Sequence, residues 1–177
     1  MLDIILLVIA TAMGGGAGSG QADAAAAEAP PVSGGVPSEA AAPSAQERAR
    51  QAYTAEPQVA TGKFTTALEV KPILTATKGN WVAVRDWQGQ DLIYLSHLLA
   101  WRCGLAAAHV GINGEPPEAW DLPPCLVDTA QPNAIPDDAV IYKAFPPGSI
   151  QTITVELTYD DLSTDSAFFE RKAVLLP

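Results

Sequence analysis

The sequence predicts an all-β domain, or a β-rich α+β domain, built as an antiparallel two-sheet sandwich of about immunoglobulin-domain size. Three observations favour this class. The chain of 177 residues holds 15 Pro and 14 Gly, more than a helical bundle tolerates. Residues 62–177 divide into about seven short apolar segments separated by turns. Ile153–Tyr159 alternates apolar and polar residues, as a half-buried strand does.

Residues 1–24 have the layout of a secretory signal peptide. Ile4–Met13 is an apolar run too short to cross a bilayer, which needs about 20 residues, and small residues follow it. The segment departs from the usual pattern because it carries Asp3 and no Lys or Arg before the apolar run. We therefore expect an exported protein, periplasmic or secreted, with no transmembrane segment in the mature chain.

Residues 25–61 are predicted to be an Ala/Pro-rich linker with one short helix. The segment has too few large apolar side chains to offset the conformational entropy that folding removes, which indicates a disordered N-terminal tether. Ser44 and Glu47 have the spacing of a capping box, which predicts a helix over 45–55 that ends before Pro57. The β-rich globular domain is expected to occupy residues 62–177.

The first strands of this domain are predicted from apolar runs and the turn residues between them. Ala67–Thr77 is predicted to be an edge strand, because Pro72 lacks the N–H that a central strand needs. Trp81–Trp87 and Leu92–His97 are expected to form a hairpin through Gln88–Gln90. The apolar run over residues 92–103 also fits a helical face, so a strand is expected at its start and the α+β alternative stays open.

The second half of the domain contains clearer signals. Ala108–Ile112 is followed by Asn113-Gly114, the strongest short hairpin signal. Ile141–Phe145 is a further strand. Ile153–Tyr159 and Ser166–Leu175 are expected to pair as a C-terminal hairpin around an acidic turn.

Two cysteines, Cys103 and Cys125, suggest a disulfide, since an even count in an exported protein is typical of one. In the chain-entropy model a loop of this length contributes about 3.4 kcal/mol. A zinc site formed by both cysteines with His97 and His109 is a formal alternative, and so is a nucleophilic Cys103 beside a histidine. Disulfide formation would remove the thiol that both alternatives need.

The sequence contains none of the common hydrolase, metalloprotease or nucleotide-binding motifs, so we assign no catalytic residue and expect no cofactor. The net charge is 10 − 20 = −10, without the basic face that nucleic acid requires. An envelope protein or a glycan is therefore the expected kind of partner, and nucleic acid is not.

Four tryptophans are the candidates for a binding patch, with a role in the core as the alternative: Trp81, Trp87, Trp101 and Trp120. Even spacing would place Trp81 and Trp87 on one strand face. Trp120 lies among prolines and is expected to be the most exposed of the four.

The acidic turn is a weak candidate for calcium binding. Asp160, Asp161 and Asp165 could offer oxygen ligands, although the spacing does not match an EF-hand, and a solvated hairpin tip is the alternative.

The function expected from the sequence is that of an exported, soluble, non-catalytic binding domain of the cell envelope, with an unassigned target. The alternatives are a small periplasmic enzyme that uses Cys103 and His97, and a calcium-dependent binding module.

Overall fold

The structure is a computed structural model that describes residues 44–177. The predicted signal peptide and the linker as far as Pro43 lie outside the described residues. Residues 44–177 form two antiparallel sheets, of three and four strands, with a few short helices. The prediction of a strand-rich domain with antiparallel sheets is confirmed.

The helices are α1 (Ala45–Ala52), α2 (Ala67–Ala76), α3 (Ser96–Leu99) and α4 (Arg171–Val174). The strands are β1 (Ala83–Trp87), β2 (Gln90–Tyr94), β3 (Leu105–Ile112), β4 (Glu118–Trp120), β5 (Tyr142–Phe145), β6 (Thr152–Tyr159) and β7 (Thr164–Glu170). Sheet A has the order β1-β2-β5, and sheet B has the order β4-β3-β6-β7.

Two tight turns explain two of the strand pairings. Gln88 and Gly89, between β1 and β2, have φ values of 51° and 75°, and Asn113 and Gly114, after β3, have φ values of 55° and 84°. Positive φ at both central residues is typical of the type I′ turn, whose twist matches that of paired strands. Both predicted hairpins are therefore present, β1 with β2 and β3 with β4.

The C-terminal hairpin is also present, but its second strand is shorter than predicted. β6 pairs with β7 along its whole length, and β7 ends at Glu170 rather than near Leu175. The chain then forms α4. Beyond α4, the backbone N–H of Leu176 donates to the carbonyl of Val84 at 2.7 Å, which lays the last residues against β1.

The predicted edge strand at Ala67–Thr77 is wrong, because these residues form α2. Ala67, Val70 and Leu74 are fully buried at helical spacing. Thr66 provides no side-chain cap; instead the Asp160 carboxylate accepts a 2.8 Å hydrogen bond from the Ala67 N–H. Pro72 removes one helical hydrogen bond, and the buried face together with this distant cap outweighs that loss.

The ambiguous segment that follows β2 divides into two parts. Its start is the strand β2, as expected, and Ser96–Leu99 forms the single helical turn α3. Leu95, Leu98 and Leu99 are fully buried, so the apolar run serves the core in both conformations. This turn gives the domain the α+β character that was the alternative.

Both sheets contribute side chains to one buried cluster. Val84 and Ile93 come from sheet A, and Val155 and Leu157 come from sheet B. Trp81 is completely buried in the same cluster, and its indole N–H donates to the carbonyl of Leu74 at 2.9 Å.

A buried ion pair joins the two sheets. The Arg171 guanidinium, at the start of α4, donates to both carboxylate oxygens of Asp91 on β2 at 2.8 Å. The Asp91 side chain is completely buried, and it also accepts from the Ile150 N–H at 3.3 Å. Such a two-pronged pair fixes the orientation of both partners.

We predict that Asp91→Asn lowers the free energy of unfolding by about 3–5 kcal/mol, because it leaves the Arg171 cation in the interior without its anion. Urea denaturation with the disulfide intact measures the change. Glu170→Gln is the matched control: it breaks an exposed pair with Lys172 and should cost less than about 1 kcal/mol. Equal small losses in both variants would show that the Asp91 pair does not hold the sheets together.

Candidate functional site

Cys103 and Cys125 form a disulfide, with an Sγ–Sγ distance of 2.05 Å and a Cα–Cα distance of 5.0 Å. Residues 44–177 contain no free cysteine. Neither sulfur can therefore act as a zinc ligand while the bond is intact, and Cys103 has no thiol with which to attack a substrate.

His97 forms a structural hydrogen bond. Its Nε2 lies 2.8 Å from the hydroxyl of Thr77, and that hydroxyl donates to the carbonyl of Ile73 at 2.7 Å. Since the hydroxyl proton is used there, Nε2 must be the donor to Thr77. Burial lowers the pKa of His97, which favours the neutral imidazole, here with its proton on Nε2. The histidine thus ties α3 to the end of α2.

Arg102 is a buried cation whose partners are all backbone carbonyls. Its guanidinium donates five hydrogen bonds, at 2.9–3.1 Å. The acceptors lie in three separate segments: Leu99 in α3, Pro123 and Pro124 after β4, and Asn133 and Ala134 before β5. Arg102 therefore fixes the long connection over residues 121–141, which contains no helix or strand.

The three acidic residues, Asp160 and Asp161 in the β6–β7 turn and Asp165 in β7, do not converge on one site. Asp160 binds the start of α2, Asp161 pairs with Lys71 at 2.5 Å, and Asp165 pairs with Lys78 at 2.6 Å. Within the described part of the chain, no group of three or more acidic, histidine or cysteine side chains is arranged to hold a metal ion.

Asp160 is a buried residue rather than part of a solvated tip. Its Oδ1 accepts from the Ala67 N–H and from Gln58, both at 2.8 Å, while its Oδ2 has no partner in residues 44–177. Burial raises the pKa of Asp160 despite these two bonds. The Asp160 backbone carbonyl also anchors the segment after α1, because it accepts from the Glu56 N–H at 2.9 Å.

The four tryptophans do not form one exposed patch. Trp81 is completely buried, and because it precedes β1 in a helical conformation, it does not share a strand face with Trp87. Trp87 is 47% exposed beneath the Arg85 guanidinium, and Trp101 is half-buried against Phe64. The expectation that Trp120 is the most exposed is wrong, since only 4% of it is accessible.

Trp120 nevertheless borders an open groove of about 380 Å³, which we call the Trp120 groove. β3, β4, β5 and the 115–117 loop line it, through Val110, Ile112, Glu115, Pro116, Pro117, Glu118, Trp120, Lys143 and Phe145. The groove therefore lies between an edge strand of sheet A and an edge strand of sheet B.

The indole of Trp120 is incompletely satisfied at this groove. Its Nε1–H is buried and has no acceptor in residues 44–177. The Lys143 ammonium lies 4.7 Å from the centre of the ring, a distance typical of a cation–π contact. A buried donor without an acceptor is costly. The Nε1 atom is itself inaccessible, so a ligand acceptor reaches it only if the groove wall shifts, and it would then gain more than at an exposed site. The groove as it stands can bind apolar groups.

A larger groove, of about 710 Å³, lies between α1 and the outer face of sheet B. α1 docks through Ala49, which is 2% exposed, and through Arg48, whose guanidinium lies 3.5 Å from the Glu156 carboxylate. His109 lies on the floor of this groove. Because α1 itself forms one wall, the space belongs to the docking of α1 and is a weaker candidate for an independent ligand.

Sequence reasoning missed Lys143 and Phe145 as groove residues, although it placed a strand there, because the groove exists only where two sheets meet. It also missed Arg102, whose partners are backbone carbonyls that leave no pattern in a sequence. The Asn113-Gly114 turn, which implies a second strand after it, was the available signal for Trp120.

Comparison of the chain with protein-family models, with curated proteins and with solved structures finds no match in any of the three. Among the helices of residues 44–177, none combines the length and the apolar surface needed to cross a bilayer.

We predict that Arg102→Met destabilises the domain by about 3 kcal/mol or more, because the methionine keeps an apolar stem but leaves five buried or partly buried carbonyls without their donor. Limited proteolysis should cut residues 121–141 faster, and urea denaturation should report the lower stability. Arg85→Met, which removes a half-buried guanidinium that stacks on the exposed ring of Trp87, is the matched control and should stay within about 1 kcal/mol of the wild type. Unchanged cleavage in Arg102→Met would show that the disulfide alone holds the connection.

Proposed function

We propose that this protein is an exported, non-catalytic binding domain of the cell envelope, whose ligand site is the Trp120 groove. The observation that carries the proposal is the open groove with apolar walls beside Trp120, a residue whose buried indole N–H has no acceptor in residues 44–177. A partner protein or a glycan could supply that acceptor. Two buried side-chain donors lack an acceptor in residues 44–177, the Trp120 indole and the Tyr159 hydroxyl, and of these two residues Trp120 lines this groove.

The proposal includes a sandwich arrangement of the two sheets, about the size of an immunoglobulin domain. The single buried cluster, to which both sheets contribute side chains, supports this arrangement. A rigid sandwich with ligand contacts at the open edge between its sheets is a common way to build a binding domain.

Export is proposed from the predicted signal peptide together with the disulfide. Disulfides persist in oxidising compartments and are rare in reducing ones. The bond also removes the thiol required by an enzyme based on Cys103 and His97, and the separation of Asp160, Asp161 and Asp165 gives a calcium-dependent module no common site. A binding domain is therefore the function that the geometry favours.

We predict that the protein recovered from its native host has lost about its first 24 residues, and that it gains two alkyl groups only after reduction. Intact-mass measurement before and after reduction and alkylation tests both points. Alkylation in denaturant without reductant is the control for accessibility. A full-length chain that alkylates without reduction would place the protein in a reducing compartment and refute export.

We predict that Trp120→Phe weakens ligand binding about tenfold, because phenylalanine keeps an aromatic ring but lacks the N–H donor. The probes are a phage-displayed library of random dodecapeptides and an oligosaccharide array, each screened against the disulfide-bonded protein. Trp87→Phe, an exposed tryptophan outside the groove, is the matched control and should bind as the wild type does. Failure of both probes to bind, or equal binding by both variants, would reject the Trp120 groove as the site.

A further inference from the structure

β5 presents an open backbone edge. The Leu95 N–H donates to the Ile141 carbonyl, so these two residues form a hydrogen-bonded pair at the start of the β2–β5 ladder. Hydrogen-bonded and non-hydrogen-bonded pairs alternate along an antiparallel ladder. Lys143 therefore bonds to β2, whereas the N–H and C=O groups of Tyr142 and Ala144 point away from it. Those groups have no hydrogen-bond partner within residues 44–177.

The same reasoning gives β4 an open edge. The Asn113 N–H donates to the Thr152 carbonyl, so alternate residues of β3, including His109, bond to β6. The residues between them, such as Ala108, bond to β4. Ala119 pairs with His109, so its backbone groups face away from β3. The Trp120 groove thus has one unpaired strand edge on each side, from two different sheets.

The charges around the groove indicate what kind of chain would fit. Glu115 and Glu118 are both exposed at its rim and form no ion pair in the described part of the chain. The Lys143 ammonium is already placed over the Trp120 ring. With a net charge of −10 on the whole protein, the rim favours a cationic group on the partner.

We propose that the Trp120 groove binds an extended peptide that adds as a strand to the free edge of β5. Its backbone would bond to Tyr142 and Ala144, and an apolar side chain would enter the groove. A shift of the groove wall would then let a backbone carbonyl accept from the Trp120 N–H. A Lys or Arg beside the apolar residue would face Glu115 and Glu118. Strand addition of this kind obtains affinity from main-chain bonds and specificity from alternate side chains.

This inference rests on the proposed function, because it names the ligand class of the same site. We favour a partner chain as the occupant, since any chain with a Lys or Arg beside an apolar residue can make the contacts described for the groove and its rim. A second copy of this chain, or its own residues 25–43, would be a different occupant of the same edge.

The test uses the full mature protein with its disulfide intact and a synthetic peptide taken from the dodecapeptide selection. Ala144→Pro removes the free N–H and obstructs the edge while leaving the bonds to β2 in place, so calorimetry should show affinity reduced at least about tenfold. Ala144→Thr keeps the N–H and is the matched control. A denaturation curve establishes whether each variant is folded.

A second measurement does not depend on any variant. Methylating the peptide backbone nitrogens one at a time should weaken binding to the wild-type protein at every second residue, because alternate N–H groups face β5. Selected peptides that carry a basic residue beside an apolar one, with this two-residue periodicity, support the inference.

The other outcomes overturn it in distinguishable ways. Peptides that bind without periodicity under methylation refute strand addition. Oligosaccharides that bind in a Trp120-dependent manner while no peptide is selected refute the peptide and leave the proposed function standing. If no probe of either class binds, the proposed function fails as well. A concentration-dependent dimer, or tighter peptide binding after deletion of residues 25–43, would show that this chain is the occupant.

Discussion

The buried guanidinium of Arg102 is the interaction on which the position of the candidate site depends. It joins α3 to the start and the middle of the connection over 121–141, and the Cys103–Cys125 bond holds the same connection one residue away. β4 ends immediately before this connection and β5 begins immediately after it. Because β4 and β5 belong to different sheets and are not hydrogen-bonded to each other, the connection sets the distance between them. Arg102 therefore fixes the segment that links the two walls of the Trp120 groove.

The buried polar groups of this domain lie at junctions between elements that are distant in sequence. Asp91 and Arg171 connect sheet A to the end of sheet B, and Asp160 connects the β6–β7 turn to the start of α2. A buried charge stabilises little by itself, because desolvation offsets the attraction to its partner. Its effect is to exclude arrangements that would leave the charge unpaired. These junctions thus specify how the elements meet, while the apolar cluster provides the driving force.

Local patterns predicted the elements whose stabilising contacts are themselves local. The capping box at Ser44, the Asn113-Gly114 turn and the alternation of β6 each depend on residues only a few positions apart. α2 was predicted wrongly because its N-terminal cap comes from Asp160, far away in the sequence. Trp120 was expected to be exposed because prolines flank it. It pairs instead with Ala108 of β3 and is only 4% exposed, and the residues next to it in the sequence carry no sign of that pairing.

The free edges explain why the groove, rather than another surface, is available to a partner. Natural sheets cover or obstruct their edges to prevent unwanted pairing. Here the C-terminal residues Leu175 and Leu176 lie along β1, and α1 contacts β7. The remaining edges, β4 and β5, are three and four residues long and border the same groove. Strands this short offer few bonds to a random partner. A ligand must therefore gain affinity from the groove as well as from the edge, and the buried Trp120 donor lies where both can be used together.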